Sequence, residues 1–175
     1  KDVRQVKTWR SLGDEYEAFE EEISDILKSL SEIGVNVYIG DDKYFAFNTR
    51  GLYSVKGNDM FLNERYLSNP TMMVKVLRHE GWHIAQDCMA GTIDNTFTGV
   101  ILQDGVVPDW IANGAEKTYP QRAVPYEAEA MYAAFSDSMT RDALKVCAGP
   151  KKMWEVYKPT PLTKKWLLEQ GFIAK

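Results

Sequence analysis

A chain of 175 residues has room for one domain with a substantial core, and its 45% hydrophobic and 26% charged residues exclude a disordered or collagen-like polymer. The 21 basic and 25 acidic residues leave a net charge of −4, without the basic stripe that marks a nucleic-acid binder. No uninterrupted apolar run nears the roughly 18 residues that a membrane-spanning helix requires.

In chain order, the first pattern is helical. Leu12, Tyr16, Phe19, Ile23, Ile26, Leu27, Leu30 and Ile33 recur at three- and four-residue steps. They predict an amphipathic helix over 11–33, with Ser11 as its cap, the acidic residues on its wet face and Gly34 as its stop. Val35, Val37 and Ile39 alternate with polar positions as in a half-buried strand. Residues 44–48, 52–55 and 60–63 read as further short strands, separated by Gly51 and by Gly57-Asn58-Asp59, which makes a small, mostly antiparallel sheet. Asn69-Pro70 opens a helix expected to reach about Asp87, apolar around most of its circumference and therefore in the core. Residues 90–121 are interrupted by glycine and proline, with one short helix expected over 108–119. A strong helix is predicted from Val124-Pro125 to about Val146, then two shorter ones over 151–157 and 162–170, with Gly171 as a stop. With no repeat or linker, the chain reads as a single domain: an N-terminal helix over 11–33, a core over 34–148 and a helical tail over 149–175.

Within the buried helix, Arg78-His79-Glu80-Gly81-Trp82-His83 carries the only two histidines of the chain. Positions i and i+4 stand one above the other, about 6 Å apart along a helix axis, so the two imidazoles can converge on one Zn²⁺. Glu80, rotated by about 100° from His79, stays out of the ligand set yet within reach of a water, as a general base requires. The competing reading is two hydrogen-bonded core histidines, which leaves several buried polar groups in need of partners. Two imidazoles need a third protein ligand. With no third histidine in the chain, that ligand is expected to be a carboxylate.

Candidates lie in Pro125-Tyr126-Glu127-Ala128-Glu129-Ala130. An HExxH followed by a glutamate on a separate downstream helix resembles the gluzincin metallopeptidases. Their ligand glutamate precedes an alanine in an E-x-x-A-[D/N] pattern, which Glu127-Ala128-Glu129-Ala130 matches through the alanine. The resemblance therefore implies Glu127 as ligand, 127 − 83 = 44 residues after His83. The E-x-E-A run followed by Tyr132-Ala133-Ala134-Phe135, and the 60–63 strand ahead of the HExxH helix, are also similar to the phage-immunity and radiation-response peptidase family over roughly residues 50–136. Met131 departs from that pattern: Asp or Asn there can orient a ligand histidine, and Met cannot. Glu129 is kept as a reserve ligand. So is Asp94, in Gly91-Thr92-Ile93-Asp94, which resembles the G-T-x-D segment of aspzincins although it lies only 94 − 83 = 11 residues past His83.

The expectation is an α+β, zincin-like domain that hydrolyses peptide bonds with Zn²⁺ and Glu80. Its peptide or protein substrate would lie along an edge strand near residues 60–63. Tyr119, Arg122, Tyr126 and Tyr132 are candidates for stabilising the oxyanion, and Trp82 is expected in the core or as a cleft wall. The alternative is a zinc-bearing regulatory or recognition domain that turns nothing over. Cys88 and Cys147 permit one disulfide or two free thiols, and an unbroken helix from Glu127 to Cys147, with its ends about 30 Å apart, argues against the bridge. The start at Lys1 rather than Met fits either removal of a targeting segment or trimming, so exported and cytoplasmic settings both stay open, as does oligomeric state.

Overall fold

The computed structural model of the chain describes residues 2–175, so Lys1 lies outside the described residues. These form an α+β arrangement of seven α-helices and a four-stranded mixed sheet.

The first amphipathic stretch is a composite. Trp9–Ser11 and Asp14–Phe19 are 3₁₀ turns, and only Glu20–Ile33 (α1) is α-helical. Gly13 between them, at φ 133°, breaks any continuous helix, and the Ser11 hydroxyl accepts from the Lys7 and Thr8 N–H groups, capping the first 3₁₀ turn rather than a helix that begins at 11. The stripe survives because a 3₁₀ turn has three residues per turn, which stacks Tyr16 and Phe19 on one side before α1 continues with Ile23, Ile26, Leu27 and Leu30. Buried Tyr16 donates to the Leu67 carbonyl at 2.6 Å. Gly34, at φ 99°, turns the chain so that the Val35 N–H reaches the Leu30 carbonyl at 2.9 Å.

The sheet comprises Val3–Gln5 (β1), Asn36–Gly40 (β2), Gly51–Ser54 (β3) and Asp59–Asn63 (β4), in the order β1-β2-β4-β3. β1 has no alternating pattern and all three of its residues are exposed, so it is placed by main-chain pairing with β2 and by exposed bonds from Arg4 to Glu64 and from Gln5 to Asn36 rather than by burial. Residues 44–48 are not a strand. A 3₁₀ turn at Asp42–Tyr44, capped by the Asp41 carboxylate, diverts the chain, and Asn48 takes φ 60°. β4 then folds back between β3 and β2, parallel to β2 and antiparallel to β3. The expected edge strand at 60–63 is therefore an interior one, and β3 is the edge.

Pro70–Met89 (α2) begins under an Asn69 cap that accepts from the Met72 N–H, and it is buried on most sides. Asp109–Thr118 (α3) and Val124–Ala133 (α4) follow. The long helix expected to run to Val146 breaks after α4. The Ser136 hydroxyl accepts from the N–H groups of Ser138 and Met139, and a new helix starts at Met139–Ala148 (α5). The bend returns α5 against α2 and brings the Cys147 and Cys88 Cα atoms within 6.0 Å, joined as a disulfide, so neither thiol is free. Met153–Val156 (α6) and Pro161–Glu169 (α7) complete the chain.

One apolar cluster joins α1, β2, β4, α2 and α5. Across it, buried Arg78 of α2 donates to both carboxylate oxygens of Glu22 in α1 at 2.7 Å and to the Ala134 carbonyl past α4. The Thr140 hydroxyl of α5 donates to the Arg78 carbonyl. No helix among the described residues is long and apolar enough to cross a membrane.

Candidate metal centre

α2 turns one stripe toward a cleft of about 790 Å³, and His79, Glu80 and His83 stand on that stripe. The two imidazoles are one turn apart, with ring centroids 5.0 Å from each other. α4 packs against α2 and supplies Glu127 from its first turn. Nε2 of His79 and Nε2 of His83 each lie 3.0 Å from the same Oε1 of Glu127. Ligand atoms of these three residues lie within 4.8 Å of one another, the one such convergence of three among the described residues. Two imidazole nitrogens and a carboxylate are a donor set that suits Zn²⁺, with room left in the cleft for a fourth ligand. Glu80 stays beside the group rather than in it, its Oε2 3.8 Å from His79 Nε2.

The cluster couples two imidazoles to two carboxylates. Burial acts to lower the pKa of His83, but the hydrogen bond to Glu127 and the charges of Glu80 and Glu127 outweigh it and hold His83 at about 9. Burial acts to raise Glu127, and the two histidine hydrogen bonds outweigh it and take Glu127 down to about 2. Glu127 is therefore ionised throughout the working range, while His83 carries a proton that an incoming cation must displace. The sign follows directly. Above pH 9 the site is already deprotonated at His83, and below it each unit of acidification adds about one decade of competition. Zinc affinity, measured against a chromogenic chelator, is expected to fall about 100-fold between pH 8 and pH 6. A pH-independent affinity over that span would contradict the cluster.

The reserve ligands stand elsewhere. Glu129, 2% exposed, faces away from the cleft and accepts from Trp82 Nε1, Gln86 Nε2 and the N–H groups of Ile101 and Leu102. Asp94 is exposed on the loop after α2. Trp82 is core, with its indole committed to Glu129. Of the four oxyanion candidates, Tyr119 and Tyr126 line the cleft. The pKa of each is raised, first by burial, then for Tyr119 by the charges of Glu127 and Glu80, and for Tyr126 by that of Glu129. Tyr119 is thus the phenol within electrostatic reach of both cleft carboxylates.

Two contributors carried no motif. Gly51 of β3 passes so close to α2 that a Cβ there would lie 2.5 Å from Val76 Cγ1 and 3.2 Å from Glu80 Cγ, so only glycine lets the edge strand approach Glu80 this closely. Gln86 takes His83 Nδ1 at 2.8 Å through its side-chain oxygen; its position three residues on from His83 is a helical-neighbour spacing that could have flagged it. Asp87 anchors the strand from below. The Tyr53 hydroxyl of β3 donates to Asp87 Oδ2 at 2.7 Å, and burial raises the pKa of this carboxyl to about 7.

Compared with protein-family models, curated proteins and solved structures, the chain matches none.

Proposed function

We propose that the chain is a zinc-dependent peptidase with a zincin-like site, and the observation that carries this is the convergence of His79, His83 and Glu127 with Glu80 beside them in an open cleft. An ion pair or hydrogen-bond cluster serving stability alone has no reason to set a second carboxylate, Glu80, 3.8 Å from His79 and lining the same cleft. The layout, two histidines on one helix and a glutamate from the next helix packed on it, is what the gluzincin resemblance implies.

His79, His83 and Glu127 would hold the ion, which supplies polarisation of a carbonyl and acidification of water. Glu80 takes the proton from the attacking water and returns it to the leaving amine nitrogen. Tyr119, which lines the cleft, is the candidate donor to negative charge developing on the scissile carbonyl oxygen. β3 orients the peptide. The Asn63 N–H donates to the Arg50 carbonyl, so alternation along the ladder assigns Leu52 and Ser54 to β4 and turns the main-chain groups of Gly51 and Tyr53 to the open edge. An extended peptide pairs with that edge through its backbone, which suits an unfolded segment of varied sequence. Leu52 on the strand and Phe135 across the cleft, with Trp110 5.7 Å from Phe135, are exposed and add apolar contacts.

The test is cleavage of an unfolded protein by the purified chain loaded with one equivalent of zinc. Hydrolysis that a chelator abolishes and added zinc restores is expected. Zinc bound at one equivalent with no cleavage of a broad peptide library would favour instead a recognition or regulatory domain built on the same centre.

A further inference from the structure

Gln86 and Glu129 form a buried pair behind His83 that the peptidase reading does not use, and Met131, where an orienting acid stands in related sequence patterns, leaves that role unfilled. Gln86 is 0% and Glu129 2% exposed. The side-chain nitrogen of Gln86 lies 3.0 Å from Glu129 Oε1 and 3.1 Å from the Tyr126 carbonyl oxygen. Both of those neighbours accept. Glu129 is ringed by donors, receiving the Trp82 indole N–H at 3.0 Å, the Ile101 N–H at 3.0 Å and the Leu102 N–H at 2.7 Å besides Gln86, which leaves no acceptor facing it. The amide of Gln86 therefore has one orientation. Turning it over would set its oxygen against two acceptors and abandon two hydrogen bonds inside the core. Its oxygen must face Nδ1 of His83, at 2.8 Å, and an oxygen there requires that Nδ1 carry hydrogen.

We propose that Gln86, oriented by Glu129, is a positioning residue that keeps the hydrogen of His83 on Nδ1 and so presents Nε2 as the metal-binding nitrogen. α4 then contributes twice: Glu127 supplies a ligand directly, and Glu129, two residues on and on another face of the helix, sets the ligand chemistry of His83 through one amide. The same carboxylate ties the Ile101–Leu102 backbone to the centre, so the loop after α2 and the metal ligand share one anchor. This inference rests on the metal centre of the preceding reading, though not on hydrolysis.

The experiment is zinc affinity, by competition with a chromogenic chelator, for the wild type and Gln86→Leu, with ¹⁵N NMR of the zinc-loaded imidazoles. Gln86→Leu is expected to weaken zinc about 10–100-fold. In the zinc-loaded wild type the Nδ1 hydrogen of His83 is expected to be present and slow to exchange. Should Gln86→Leu fail to fold, the wild-type spectrum decides. Wild-type affinity in Gln86→Leu, or a spectrum with zinc on Nδ1 and hydrogen on Nε2, overturns the proposal. A wild type that binds no zinc removes the centre altogether, whereas zinc binding without cleavage removes only the peptidase reading.

Discussion

Glu80→Gln is expected to bind zinc as the wild type does and to hydrolyse peptides about 10²–10⁴-fold more slowly, the contribution typical of a positioned general base. The amide keeps the length and shape of the carboxylate, so its place 3.8 Å from His79 Nε2 can be retained. It cannot take a proton. The loss should therefore fall on kcat, with KM and metal content near wild type, as read by steady-state kinetics and mass spectrometry of the native protein. Full activity in this variant would exclude Glu80 as the base. A variant that lost the metal as well would show instead that Glu80 belongs to the ligand set.

Arg78→Ala is expected to destabilise the fold by about 3–5 kcal/mol, the usual cost of stranding one partner of a buried ion pair. Arg78 and Glu22 face each other through two 2.7 Å bonds with both side chains nearly excluded from water, and the guanidinium also reaches the Ala134 carbonyl where α4 ends. Removing it leaves the Glu22 carboxylate buried and unpaired, and loosens α2 from α1 one residue away from His79. Urea unfolding of the zinc-free protein gives the measurement. The double variant Glu22→Leu/Arg78→Met removes both charges and should recover much of the loss, because two apolar groups of similar volume leave no buried charge and strip a donor only from the Ala134 carbonyl. A single variant within 1 kcal/mol of wild type (well below the ~3 kcal/mol floor) would mean that water reaches the pair.

Much of this was legible where the information is local. A helix start at Asn69-Pro70 and apolar positions around its circumference specify α2, and the four-residue spacing of His79 and His83 puts both rings on one face whatever surrounds them. The interrupted 11–33 segment was misread as one helix because three- and four-residue steps do not distinguish a 3₁₀ turn from an α-helix over a single turn, although Gly13 marked the break. The end of α4 also had a signal. Ser136-Asp137-Ser138 is a capping cluster, and reading it would have shortened the helix and allowed the Cys88–Cys147 bridge that an unbroken rod forbids.

What the sequence alone determined, then, is the helix that carries His79, Glu80 and His83, their shared face and the α+β class, since each follows from repeats a few residues long. Tertiary structure decided the rest: Glu127 rather than Glu129 at the histidines, β3 rather than β4 at the open edge, and Gln86 behind His83. Glu127 and Glu129 sit two residues apart, about 200° around one helix, and either would suit a metal. Which one turns inward is the rotational phase of α4 against α2, and strand order is likewise a choice of neighbour. Both are settled by packing among residues far apart in the chain, which no local pattern records.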